Sequence, residues 1–445
     1  MKLQDSDFNE NRMIQYSKFN NVVQRDNNIL IFNSKSKRFV KMTKEDFEGA
    51  IDRKDLQVPL LEAGIIVENY RDESAEINQQ YYQRVYDSTL RLTILASEEC
   101  NFRCSYCYEK FERGNMSLEV CEGLIKWLRK NIKNYTGLEV SWFGGEPLLG
   151  IKRIEYLSAE FRKICSQAKR PYRANITTNG YLLNDRIFKS LVDNKVRSFT
   201  ITLDGTEMTH DKYRVLQNGG KTFERILNNL RNIRDNCKKR DIQINIRCNL
   251  TQDTLEVAEE YVLLMHNEFY SDCRFSFFFR PAGNWGGNRV KKISNRLVNS
   301  LDEFYSSIIE ATKKYPLDFS VNAMMLIDGM CNSSRNNYYI IGSNGMVYKC
   351  TVLFDRPENR IGMLTRDGKL IINQEKQSKW TLGTVENRLE SCGDCPFTYS
   401  CFNRICPAKG WLLTIQGKCG YERSAIKSIL YMLDNQDYFE KIGEG

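Results

Sequence analysis

Leu90-Arg91-Leu92-Thr93-Ile94-Leu95, followed a few residues later by Glu99-Cys100-Asn101-Phe102-Arg103-Cys104-Ser105-Tyr106-Cys107, is the stretch that decides the fold. A short run of apolar and β-branched residues reads as a buried strand, and three thiols come directly after its C-terminal end. Five runs of the same kind follow: Leu138 to Trp142, Ala174 to Thr177, Ser198 to Leu203, Ile242 to Cys248 and Arg274 to Phe279. Most lead into ten or more residues of helical periodicity. In the first such segment Leu118, Cys121, Ile125, Leu128 and Ile132 share one stripe, as do Ile154, Leu157, Phe161 and Cys165 in the second. Six β/α units imply a parallel sheet, and right-handed crossovers curl it into a partial (β/α)6 barrel of the TIM type. Chemistry in such a barrel belongs at the C-terminal ends of the strands, where the thiols stand.

The 445 residues are too many for one ordinary domain and set a prior of two to four. With 41% hydrophobic and 27% charged residues the chain can bury cores without wholesale disorder. The formal charge of +9 is scattered, which favours an acidic partner mildly and does not indicate nucleic acid. No apolar run approaches the roughly 18 residues of a membrane span, and Met1 to Glu10 is polar rather than signal-like. A cytoplasmic location and no membrane partner are expected. Fifteen cysteines in such a chain point to reduced thiolates and metal rather than to disulfides. None precedes Cys100, and seven fall between Cys331 and Cys419, so two metal regions are expected. Cys121, Cys165 and Cys237 sit at apolar helical positions and read as small buried hydrophobes.

The first 85 residues read as a separate small module. Strand-like runs at Asn21 to Val23, Ile29 to Phe32 and Arg38 to Met42 precede a helix capped by Thr43 and a second helix ending near Gly64, with Arg71 to Gln80 as a linker.

Three thiolates on one loop can hold three irons of a [4Fe-4S] cube and leave the fourth iron open; the alternative is a zinc site completed by a distant residue. The C-x3-C-x2-C spacing of Cys100, Cys104 and Cys107, with aromatic Tyr106 before the last thiol, resembles the radical S-adenosylmethionine (SAM) superfamily. Phe143-Gly144-Gly145-Glu146-Pro147 after the second strand is similar to its GGEP segment. The resemblance implies a SAM methionyl ammonium received by the Gly144-Gly145 backbone and Glu146. Thr178 and Asn179 after strand three, and Thr202 and Asp204 after strand four, resemble the polar strand ends around the SAM ribose. His210-Asp211-x-x-Arg214 resembles an element of peptide-modifying members; Arg214 or Arg247 would pair the SAM carboxylate, and Tyr106 would stack on adenine.

Cys331-x13-Gly345-x4-Cys350, then Cys392-x2-Cys395-x5-Cys401-x4-Cys406 and Cys419, resembles the SPASM extension of these enzymes, with one more residue than usual between Cys401 and Cys406. The resemblance implies two auxiliary clusters, so three [4Fe-4S] clusters in all. Cys392, Cys395, Cys401 and Cys419 would close one cluster. Cys331, Cys350 and Cys406 would hold the other and leave one iron for Cys273 or a substrate thiol.

The resulting organisation is a winged-helix-like peptide-recognition module over 1–85, the barrel over 86–290, a bridging region over 291–330, the SPASM domain over 331–421 and a C-terminal helix or tail over 422–445. The implied activity is maturation of a ribosomally made precursor peptide, its leader held by the N-terminal module, with a flavodoxin or ferredoxin as electron donor. A thioether crosslink is the expected product. Formylglycine formation in a sulfatase, carbon-carbon crosslinking and a non-catalytic zinc scaffold are the alternatives.

Overall fold

β1 (Ile14–Tyr16), β2 (Asn20–Arg25), β3 (Asn28–Asn33) and β4 (Phe39–Thr43) begin a computed structural model that describes residues 13–285, 287–298, 301–320, 330–382, 395–401 and 425–443. A two-residue turn with Asp26 at φ 54° joins β2 to β3, and β2, β3 and β4 pair antiparallel in sequence. The Thr43 hydroxyl caps the helix Lys44–Gly49 by accepting the Asp46 N–H at 3.0 Å. Gly64, at φ 73°, ends the helix Lys54–Ala63 before β5 (Ile66–Glu68), which pairs with β1.

The expected linker is largely helix, Glu73–Val85. Ile77, Tyr81 and Val85 recur every four residues and are buried with Phe19, Met330 and Tyr399. The polar residues between them hide that stripe in the sequence. The chain's far end also returns to the module: Glu440–Lys441 pairs parallel with Val40 and Lys41 of β4, while Arg25 and Lys41 meet Asp434 at 2.7 and 2.9 Å.

All six expected barrel strands are present: β6 (Thr89–Ser97), β7 (Gly137–Gly144), β8 (Tyr172–Thr178), β9 (Val196–Thr202), β10 (Gln243–Leu250) and β11 (Phe275–Pro281). Each pairs parallel with the next, in the order β11-β10-β9-β8-β7-β6. Leu138, Val140 and Trp142 are buried while Glu139, Ser141 and Phe143 are partly exposed, the alternation of a strand with two unlike faces. Among the described residues no pairing joins β11 to β6. The outer edge of β11 lies against 318–320, with Phe277 donating to Asp318 and accepting from Ser320. The sheet is therefore an α/β arrangement open in the manner of a partial barrel.

On its β6 side the sheet does not stop. β12 (Tyr338–Ile341) pairs parallel with β6, and β13 (Met346–Tyr348), β14 (Arg360–Leu364) and β15 (Leu370–Ile372) continue it antiparallel to ten strands. Gly345, at φ 83°, makes the turn between β12 and β13 possible.

Barrel helix Leu118–Asn131 touches the β14–β15 turn backbone to backbone. A Cβ on Gly123 would stand 2.4 Å from the Thr365 carbonyl oxygen. An ordinary helix Gly→Ala change gains about 1 kcal/mol of propensity, whereas overpacking costs about 1–3 kcal/mol. Gly123→Ala should therefore lower the melting temperature and speed proteolytic cutting near 365–368; a higher melting temperature would contradict this packing.

Candidate active site

The segment from Glu98 to Gly114 leaves the end of β6 and is pinned by backbone bonds from Arg103 to Val215 (2.8 Å), Ser105 to Tyr213 (2.9 Å) and Cys107 to Cys104 (3.2 Å). Cys100 and Cys104 are buried and Cys107 half-buried. The Cys100 sulfur accepts the Phe102 N–H at 3.3 Å and stands 3.9 Å from the Asn179 amide nitrogen. Burial raises all three thiols, Cys107 to about 12, while Arg214 pulls Cys104 partly back. Iron binding here would have to displace protons, and N–H donors at sulfur favour an anionic form. Among the described residues no three His, Cys, Asp or Glu side chains converge on a single ion. A cube does not require that convergence, because each thiolate takes a different iron.

The end of β7 lies directly against this loop. Cβ atoms on Gly144 and Gly145 would stand 1.9 Å from the Ser97 carbonyl oxygen and 2.6 Å from that of Glu99. The Gly145 N–H donates to Ser97 and that of Glu146 to Glu99, so the two glycines fit β7 against the base of the cysteine loop. The Glu146 side chain is fully buried and accepts from the Leu148 N–H (2.9 Å), the Thr178 hydroxyl (2.7 Å) and the Asn179 N–H (2.7 Å). Burial pushes its carboxyl upward against these donors. It ties the end of β7 to that of β8, and Asn179 continues the chain to the Asn101 side chain at 2.8 Å.

A second buried cluster stands at the ends of β9 and β10. The Tyr106 hydroxyl donates to Asp204 and receives Arg214 at 2.7 Å and the Asn249 amide at 3.3 Å. Asp204 also accepts the Asn249 N–H at 2.6 Å and lies 3.9 Å from Arg214. Arg247 donates to the Asn249 side chain at 2.7 Å. Thr202 is buried at the end of β9. Tyr106 is thus held by its hydroxyl within an ionic network. His210 accepts the Asp204 N–H at 3.0 Å and stands 3.1 Å from the Thr222 hydroxyl; burial keeps it neutral. Asp211 accepts the N–H groups of Thr222 and Phe223, at the start of helix Phe223–Asn236. The H-D-x-x-R element therefore builds the Asp204 turn and delivers Arg214. The Asn101 amide nitrogen and Arg214 Nε are buried without a hydrogen-bond partner, so each has a donor to offer beside the cysteine loop.

Cys331 is exposed, with the Ser333 hydroxyl 3.0 Å from its sulfur; Cys350 is half-buried and Cys395 buried. Cys401 ends the short helix Thr398–Cys401, and Cys392, Cys406 and Cys419 lie outside the described residues. Cys273 is exposed ahead of β11, at the end of that strand away from the Cys100 loop. Asn359, a residue the sequence does not single out, is fully buried and brackets the second thiol: it accepts the N–H groups of Lys349 and Cys350 and donates to the Cys350 and Leu353 carbonyls. Asn249 likewise has no signal beyond its place at a strand end.

Residues 94–261 match the Radical SAM superfamily profile. The chain is 23% identical over 240 residues to the Fe-coproporphyrin III synthase of Methanosarcina barkeri, which spans 53% of this chain and 55% of that one. It is 23% identical over 275 residues to the cysteine-type anaerobic sulfatase-maturating enzyme of Clostridium perfringens, across 57% of this chain and 72% of that one. Its fold is similar to that of native anSMEcpe with bound AdoMet and Cp18Cys peptide, with a TM-score of 0.58 at 18% identity over 79% of this chain and 97% of that one. Residues 94–261 therefore form a radical SAM domain, which implies SAM and a [4Fe-4S] cluster. Among the described residues no helix is long and apolar enough to cross a membrane.

Changing Cys100, Cys104 and Cys107 together to alanine should remove about four irons per chain from the anaerobically reconstituted protein. Reductive SAM cleavage should go with them. Cleavage that survives the triple change would contradict the assignment of this loop.

Proposed function

We propose that this protein is a radical SAM/SPASM maturase that acts on a ribosomally made precursor peptide and closes a thioether between a peptide cysteine and a backbone or side-chain carbon. The observation that carries the reading is the pairing of β12 on β6, because the segment bearing Cys331 and Cys350 then flanks the strand that feeds the Cys100 loop. Cys100, Cys104 and Cys107 would hold the cluster that cleaves SAM; Cys331, Cys350 and Cys406, and Cys392, Cys395, Cys401 and Cys419, would hold the two auxiliary clusters. When bound, the first cluster and SAM supply one-electron cleavage to methionine and a hydrogen-abstracting 5'-deoxyadenosyl radical.

The chain's own residues bind and orient. Asn101 and Arg214 offer buried donors to SAM, with Gly144, Gly145, Thr178, Asn179, Thr202 and Arg247 on the same strand ends. Asp204 and Tyr106 hold Arg214 in place, and Glu146 holds the β8 end against the loop. Thioether formation removes one hydrogen atom from carbon, a proton from the thiol and one further electron, and an auxiliary cluster held by Cys331, Cys350 and Cys406 would supply the acceptor for that electron. A flavodoxin or ferredoxin would supply the electron that starts the cycle.

A second reading is formylglycine formation, favoured by the likeness to a sulfatase-maturating enzyme. Mass spectrometry of the peptide encoded beside the gene, after anaerobic incubation with enzyme, SAM and reductant, separates the two. A loss of two hydrogens with a cysteine that no longer alkylates is expected; a hydrazide-reactive aldehyde, or a crosslink with every cysteine still alkylating, would contradict the thioether.

The N-terminal module would take the leader by strand addition. Its β4 edge is filled by Glu440–Lys441, which leaves β2. Because Arg25 and Asn28 flank a two-residue turn, Val22 and Gln24 direct their backbone groups away from β3, and the Gln24 carbonyl accepts the Tyr431 hydroxyl at 2.7 Å. Val22→Pro removes one outward donor and should weaken precursor binding several-fold while peptide-independent SAM cleavage is retained. Unchanged affinity would remove β2 as the docking edge.

A further inference from the structure

The residues that follow the third cysteine of the barrel loop and the segment after Cys350 line a common cavity of about 200 Å3. Tyr108, Trp285 and Phe354 contribute rings to its wall, and its carboxylates Glu98, Glu109, Glu112 and Asp355 outnumber its cations Lys110, Arg113 and Arg360. Two of these carboxylates are satisfied. Glu98 meets Arg113 at 2.9 Å and accepts the N–H and hydroxyl of Ser343 at 2.8 and 2.7 Å. Asp355 is 3.7 Å from Lys110. Glu109 differs: its Oε1 is sealed from solvent and has no hydrogen-bond partner, and Arg289 reaches only its backbone carbonyl, at 3.3 Å.

We infer that Glu109 is the specificity-determining residue that receives a lysine or arginine side chain of the peptide substrate. A sealed carboxyl oxygen without a donor is costly, and the cost ends when a ligand brings the donor. An apolar or acidic side chain brings none. The aromatic wall supports a cation, because ring faces attract positive charge. Cations already use such faces beside the cavity, where the Arg103 and Arg289 guanidinium groups stand 4.6 and 4.8 Å from the centre of the Phe111 ring. The place fits a substrate anchor as well. A Cβ on Gly287 would touch the Cys107 carbonyl at 3.5 Å, and Val352, two residues beyond Cys350, lines the same cavity. A peptide held by Glu109 would therefore lie between the two cysteine segments.

This inference deepens the peptide-maturase reading and rests on it, so the test separates them. The peptide encoded beside the gene is synthesised with each lysine and arginine changed in turn to norleucine, and its modification by wild-type enzyme and by Glu109→Gln is followed by mass spectrometry. One peptide change should raise KM about ten- to hundredfold with wild-type enzyme, the range of a charge-assisted hydrogen bond, and have no further effect with Glu109→Gln. Glu109→Lys should recover the peptide in which that same position is glutamate. The peptide changes test wild-type enzyme alone should Glu109→Gln fail to fold. If wild-type enzyme modifies every norleucine peptide with unchanged KM, if a peptide lacking lysine and arginine is modified, or if the enzyme and peptide effects simply add, Glu109 does not read a cation while the maturase reading stands. If wild-type enzyme modifies no form of the peptide, the maturase reading falls and the inference with it.

Discussion

Parallel hydrogen bonding of β6 on both of its edges is the constraint on which the rest of the molecule depends. One edge takes β7 and with it the barrel; the other takes β12 and with it the C-terminal hairpins. From Arg91 to Ile94 the strand is paired on both sides, a rigid base from which the loop after its C-terminal end can project. The cysteine loop projects from that point, and Gly144 and Gly145 let β7 close on its base without a side chain between them.

Rigidity here is bought with buried charge. Glu146 and Asp204 are carboxyl groups that burial drives toward the neutral form, and each persists through several fixed donors. Removing one partner from a buried ion pair such as Asp204 and Arg214 typically costs about 3–5 kcal/mol, because the other charge is left uncompensated. Glu146 links two strand ends, and the Asp204, Tyr106 and Arg214 network links the cysteine loop to two more. The polar residues at the mouth of the sheet thus act as a frame for the loop as well as a surface for a ligand. Lys349 carries the same tension beside Cys350: burial lowers it to about 7, and it leans on the Arg335 carbonyl.

Much of the barrel was legible because its strands are short apolar runs set between long helical stripes. Leu138 to Trp142, read from composition alone, lies inside Gly137–Gly144. The helix Glu73–Val85 was hidden because Ile77, Tyr81 and Val85 are spaced among polar residues that resemble a linker. The return strand Glu440–Lys441 is two residues long and has no local signal; only its partner β4 makes it a strand. At the site, cysteine spacing identified the loop, and the H-D-x-x-R element marked Arg214. What spacing does not reveal is which polar side chains face one another. The pairing of Glu146 with Thr178, and the grip of Asn359 on the Cys350 backbone, depend on strand register and turn geometry rather than on sequence distance.

The central claim is that the Cys100, Cys104 and Cys107 loop presents an open iron to SAM between the ends of β6, β7 and β8. Electron-nuclear double resonance on the reduced enzyme, with SAM isotopically labelled at the methionine nitrogen and carboxyl carbon, reads that contact directly. Both labels should couple to the cluster spin, and the coupling should disappear when unlabelled SAM is exchanged in. A reduced cluster whose spectrum is unaffected by SAM, with no coupling from either label, would contradict the account.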